Sequence, residues 1–135
     1  ELNVGEGAEQ LKRYRARQHD GTLQSWGPDY PDPNTNSSTF AENPDNSDEA
    51  NNTGYLAWRN AYDPGEMTAM SQAAVMEMDP DKRKAMYEEL QKKHRETSPF
   101  IVMFQIGYQT GMQANVENFY TGGAIDSAAY WLVTK

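Results

Sequence analysis

The chain has 135 residues, with twenty carboxylates against twelve lysines and arginines, a net charge of -8 and a pI near 4.7. That excess of acid argues against nucleic acid or an anionic membrane surface as a partner. The length supports one domain with a single core, no apolar run approaches the ~18–20 residues of a membrane span, and the absence of cysteine excludes disulfides, thiol catalysis and thiolate metal sites. A mean hydropathy of -0.91 is low for a domain that must stand alone. The chain opens at Glu1-Leu2-Asn3-Val4 without an initiator methionine, so a piece of a longer protein is expected.

Residues 8–18 are strong helix formers with Ala8, Leu11 and Tyr14 on one side and a stop at His19-Asp20-Gly21. Lys12, Arg13, Arg15 and Arg17 read as a solvated basic face. Thr22–Trp26 alternates as a short strand, and Trp26-Gly27-Pro28-Asp29-Tyr30-Pro31-Asp32-Pro33 follows it. Three prolines preset three φ angles there, which stiffens the loop before folding. In an open α/β sheet a ligand sits beyond a strand's carboxyl end, where this loop would lie.

Residues 34–54 are rich in Asn, Ser and Thr and read as a polar surface excursion with turns. Between Arg17 and Arg59 there are seven carboxylates and no Lys or Arg. Asp32, Asn34 and Asn36 imitate the start of a calcium loop, but Ser37 and Asn43 stand where Gly and Glu are needed. Asp63-Pro64-Gly65-Glu66 reads as a helix start with Asp63 as cap, leading to about Met78 with Met67, Met70, Ala74 and Met78 along one side as core. Asp79-Pro80 ends that helix and caps another, running to about Thr97 with Met86, Tyr87, Leu90 and His94 inward. Phe100–Ile106, bounded by Pro99 and Gly107, reads as a buried strand. Tyr108–Met112, Asn115–Phe119 and Tyr130–Val133 read as short strands lacking partners within the sequence.

Little classical catalytic chemistry is present. His19 and His94 are the two histidines, and neither sits in a nucleophilic triad or a metal-ligand spacing. Asp29 and Asp32 could form a general acid and base pair, but no other catalytic group accompanies them. The Trp26–Pro33 loop does offer one carboxylate beside an indole. Asp29 can bind an ammonium group by a charge-assisted hydrogen bond while the Trp26 face adds cation–π and apolar contact. The plainer alternative is that Asp29 caps a turn and Trp26 belongs to the core.

The order of these features resembles the carboxy-terminal part of bacterial extracytoplasmic solute-binding proteins of the dipeptide and oligopeptide type (family 5). The likeness begins at Glu9–Tyr14 and at Trp26-Gly27-Pro28-Asp29-Tyr30-Pro31-Asp32-Pro33-Asn34, a W-x-x-D-Y-x-D-P loop that is its most specific piece. It continues through Asp79, Lys82-Arg83, Met86-Tyr87 and Leu90-Gln91, then Ser98–Phe104 and Asn115–Phe119.

The resemblance implies an α/β fold, the carboxy-terminal lobe of a two-lobed periplasmic binding protein that closes as a class II-like clamp. Residues 1–106 would form most of that lobe, and residues 107–135 would cross back to supply strands to the amino-terminal lobe. It implies a non-catalytic substrate-binding component of an ABC importer, periplasmic or otherwise extracytoplasmic. Such a protein captures a peptide or other small solute and delivers it to membrane permease subunits, without a cofactor or a metal. Asp29 would pair with the ligand's α-amino group, and Trp26, Gly27 and Tyr30 would line the same pocket. Relatives with this loop bind nickel complexes, sugars or opines, so the ligand stays open. The groups meeting the ligand's carboxylate are expected in the missing amino-terminal part of the protein, outside this sequence.

Overall fold

Two Asp-Pro pairs start the two helices on which the chain is built. At Asp32-Pro33 and at Asp79-Pro80 the proline takes the first helical position, where its missing N–H leaves no bond unmade. The aspartate accepts the next free amides: Asn34 N lies 2.7 Å from Asp32 Oδ1, and Asp81 N and Lys82 N each lie 3.0 Å from Asp79 Oδ1. The protein, described here from a computed structural model, is seen over residues 4–105, 107, 109–121 and 128–135. In chain order it forms α1 (Gly7–Arg15), α2 (Pro33–Ala41), α3 (Leu56–Arg59), α4 (Glu66–Met76) and α5 (Pro80–Thr97), then a 3-10 turn at Tyr130–Leu132.

The first helix stops earlier than its composition suggests. Arg17 takes φ 56°, and the amides of Arg17 and Gln18 turn back to the carbonyls of Tyr14 and Arg13. This is the left-handed helix stop that glycine usually provides. An arginine can hold it because its side chain is fixed elsewhere. Nε donates to Trp58 O at 2.6 Å, the two Nη atoms reach Asn46 and Asp48, and the guanidinium lies 3.8 Å from the Trp58 ring. These bonds tie α1 to the 46–58 segment and offset the strain of the backbone.

α4 packs against α5 and α2, and α2 also meets α3 and α5. Ala41, Met67 and Leu90 form the apolar centre, with Tyr62 and Met70 against it. A polar seam lies beside that centre. Ser71, fully buried on α4, sits 2.6 Å from Glu42 Oε1 and 2.9 Å from Ser37 Oγ. A single hydroxyl proton goes to the carboxylate, which can only accept, and this joins α4 to the end of α2. The methionine side of α4 is core at Met67, but Met76 and Met78 are exposed. Asp63 does not cap α4. The cap position is Gly65 at φ 57°, and the Asp63 carboxylate instead accepts from Gly65 N at 2.8 Å.

The expected α/β lobe is corrected by this arrangement. Among the described residues there are helices and two isolated antiparallel bridges, Glu117 to Thr134 and Thr121 to Ala128, and no sheet. Among the described residues Thr22–Trp26 and 100–105 make no backbone hydrogen bond with any other segment. A strand is defined by its partner's ladder, and neither stretch has one among the described residues. Ile101, Val102, Met103 and Phe104 are accordingly 67–90% exposed instead of buried, and Phe100 alone packs inward. Ile106 and Tyr108 lie outside the described residues, as does the Gly122-Gly123 pair. The piece expected as a strand at Tyr130–Val133 is the 3-10 turn. The polar excursion is corrected too: its first residues belong to α2 (Pro33–Ala41), started by a cap that composition concealed.

Asp32 also meets α5, since Arg83 Nη2 donates to its two carboxylate oxygens at 2.8 and 3.0 Å. Asp32→Ala should therefore lower unfolding stability by about 1–2 kcal/mol, the upper part of the range for a lost cap. Asp29→Ala, at an exposed position of the same loop, should shift it by less than about 0.5 kcal/mol. Urea denaturation of both variants measures the difference, and equal losses would contradict the division of roles.

Candidate functional site

The stiff loop ends in the cap of α2, so its direction is set by Asp32. The Asp32 carboxyl is held below its ordinary range, first by the Arg83 guanidinium and then by the Asn34 amide. Asp32 N closes a tight turn onto Tyr30 O at 2.9 Å. With both carboxylate oxygens engaged, Asp32 is a structural group.

Trp26 is fixed from behind. Its ring meets Phe40 edge-on at 5.2 Å, Phe40 meets Phe100 at 5.1 Å, and Phe100 stacks on His94 at 5.8 Å with 17° between the planes. Tyr62 closes the group against His94 and Phe100. Each edge-to-face pair contributes about 0.5–1.5 kcal/mol beyond burial, so the indole has a defined seat. Trp26 nevertheless keeps 39% of its surface exposed. Asp29 is exposed and makes no hydrogen bond or ion pair among the described residues. A capping Asp29 and a core Trp26, the plainer alternative, would have the opposite character.

In front of Trp26 lies a cavity of about 350 Å³. The structure brings all four expected site residues, Trp26, Gly27, Asp29 and Tyr30, to its wall. α2 contributes Thr35, Ser38 and Thr39, and the α3 region contributes Gly54, Leu56 and Arg59. The three α2 hydroxyls donate to main-chain carbonyls: Thr35 to Asp32 O at 2.8 Å, Ser38 to Asn34 O and Thr39 to Thr35 O, each at 2.7 Å. Their protons are spent, and the lone pairs left over can accept from a ligand's N–H groups. Asp29 adds a fourth acceptor to the wall.

Arg59 differs in sign. Its Nε donates to Thr53 O at 2.7 Å, and its guanidinium lies 5.3 Å from the Tyr14 ring. Burial, followed by the like charge of Arg15, sets its pKa below the ordinary arginine value, though a guanidinium remains charged throughout. Tyr14 beneath it is buried, which raises its phenol pKa, and Asn60 Nδ2 donates to its oxygen at 2.7 Å.

Arg59 and the α2 hydroxyls are not among the residues expected at the site. Thr35, Ser38 and Thr39 stand at i, i+3 and i+4, which places them on one helix face once Asp32-Pro33 is read as a helix start. Arg59, the single Lys or Arg between Arg17 and Lys82, carried no motif.

Among the described residues no group of three or more His, Asp or Glu side chains could hold a metal ion. The imitation calcium loop is dissolved into the start of α2. No helix among them is long and apolar enough to cross a membrane. Comparison with protein-family models, curated proteins and solved structures finds no match to this chain.

The aromatic seat carries a pH signature. His94 Nε2 lies 3.2 Å from Phe40 O, and burial, only partly opposed by that carbonyl, lowers its pKa from 6.5. A depressed folded pKa means that the unfolded chain binds the proton first. The contribution of neutral His94 is thus complete above about pH 6.5 and is lost as pH falls through the folded value. The melting temperature should fall between pH 7 and pH 5, and His94→Gln should flatten that slope. An unchanged slope in the variant, followed by circular dichroism, would contradict the assignment.

Proposed function

We propose that this chain binds a small solute bearing a free amino group, a short peptide in the first instance, in the cavity between the Trp26–Pro33 loop, α2 and α3. The observation that carries the reading is Asp29, an unpaired carboxylate on the wall of a cavity whose adjoining face is an anchored indole. An ammonium group there meets a charge-assisted acceptor, the lone pairs of three hydroxyls and the Trp26 face. The acidic balance of the chain favours a cationic end on the ligand and disfavours a purely anionic one.

The resemblance of the W-x-x-D-Y-x-D-P loop and of the Asp79–Gln91 stretch to peptide-binding components of ABC importers supports the same ligand class. On that reading the bound solute is handed to membrane permease subunits, and the protein works outside the cytoplasmic membrane. Binding without turnover fits the loop, because Asp32 is committed to a cap and to Arg83 and leaves Asp29 without a second carboxylate.

Removal of the acceptor tests the reading. Asp29→Asn keeps the shape of the side chain and removes its charge. It should weaken binding of a free-amino dipeptide by about 1.5–3 kcal/mol, the worth of a hydrogen bond to a charged group. Calorimetric titration measures it, and unchanged affinity would sink the ammonium assignment.

A further inference from the structure

Partly buried arginines in this protein come with a carboxylate. Arg13 has Glu9 at 3.3 Å, Arg17 has Asp48 at 2.8 Å and Arg83 has Asp32 at 2.8 Å. Arg59 is partly buried as well, in a chain with twenty carboxylates, and among the described residues it makes no ion pair. Its Nε is used by Thr53 O and its face lies toward Tyr14, while among the described residues no hydrogen bond occupies its Nη atoms. Removing a guanidinium from water without an anion is unfavourable, and the neighbouring charge of Arg15 adds to the local positive potential. The same guanidinium lines the cavity that Asp29 lines.

We infer that the cavity takes a zwitterion, Arg59 receiving the ligand's carboxylate while Asp29 holds its amino group. The inference deepens the reading of Asp29 given above and rests on it. A simple amine in the cavity would meet an unanswered guanidinium, and a simple anion would meet an unanswered carboxylate. A free α-amino acid or short peptide answers both and leaves neither charge without a partner. Guanidinium and carboxylate match as a planar two-bond fork, which also fixes the direction in which the ligand lies. A volume near 350 Å³ stands at the small end of ligand cavities, suited to one or two residues. On this inference the ligand's carboxylate is met within this sequence, at Arg59, where groups outside it were expected.

Titration of the full chain with L-alanyl-L-alanine, its C-terminal amide and its N-acetyl derivative separates the two anchors. Amidation and acetylation should each weaken binding at least about tenfold. Arg59→Gln should bind the acid and the amide alike while still rejecting the N-acetyl form. Arg59→Lys, which keeps the charge and loses the fork, should retain part of the discrimination, and the comparison of peptides on the unaltered chain needs no variant to fold. An amide that binds the unaltered chain as tightly as the acid, with acetylation still penalised, would overturn the role of Arg59 and leave that of Asp29. A harmless acetyl group would overturn Asp29. Failure of all three peptides to bind would overturn both, and inorganic phosphate binding as tightly as the free dipeptide would replace the zwitterion by a simple anion.

Discussion

Asp32 is held from two sides, and most of what the molecule does depends on that. One carboxylate oxygen accepts the Asn34 amide and starts α2, and Arg83 on α5 clasps both oxygens from across the chain. Arg83 Nη2 also lies 3.4 Å from the hydroxyl of buried Tyr87. One side chain thus fixes where the proline-rich loop ends, where a helix begins and how that helix sits on the longest helix of the fold. The loop needs no strand behind it. Its stiffness comes from its prolines and its direction from this clasp.

From that fixed end the cavity follows. α2 turns Thr35, Ser38 and Thr39 to one side, and the aromatic group from Trp26 through Phe40 and Phe100 to His94 backs the opposite side of the loop. Arg17, held in a left-handed turn by its contacts with the 46–58 segment, keeps α3 in place so that Arg59 reaches the wall. The result is a polar cavity with acceptors along one helix and loop and a lone guanidinium on another. Among the described residues neither Asp29 nor Arg59 has an ion-pair partner, whereas the partly buried Arg13, Arg17 and Arg83 each have a carboxylate.

The helices were legible where their signals are local. Asp79-Pro80 gave the start of α5, and the inward positions Tyr87 and Leu90 followed from its period. The four loop residues at the cavity were legible because carboxylate, indole and proline in eight positions constitute a local pattern. What failed was non-local. Alternation and apolar runs at 22–26 and 100–106 suggested strands, but pairing is a property of two segments, and no partner ladder forms among the described residues. α2 was hidden because Asn, Ser and Thr are poor helix formers, and its cap and packing outweigh that preference. Arg59 was hidden because its significance lies in having no carboxylate partner among the described residues, and that is visible only when the other arginines are placed.

The proposed site requires that Asp29, Trp26 and Arg59 meet the same ligand in one cavity. Two-dimensional proton–nitrogen spectra of the chain, titrated with a dipeptide, test it at the atoms concerned. The Trp26 indole N–H and the Arg59 Nε–H signals should move together along one saturation curve, with the Trp58 and Trp131 indole signals remaining in place. Shifts confined to one of the two groups, or following different curves, would contradict a shared site.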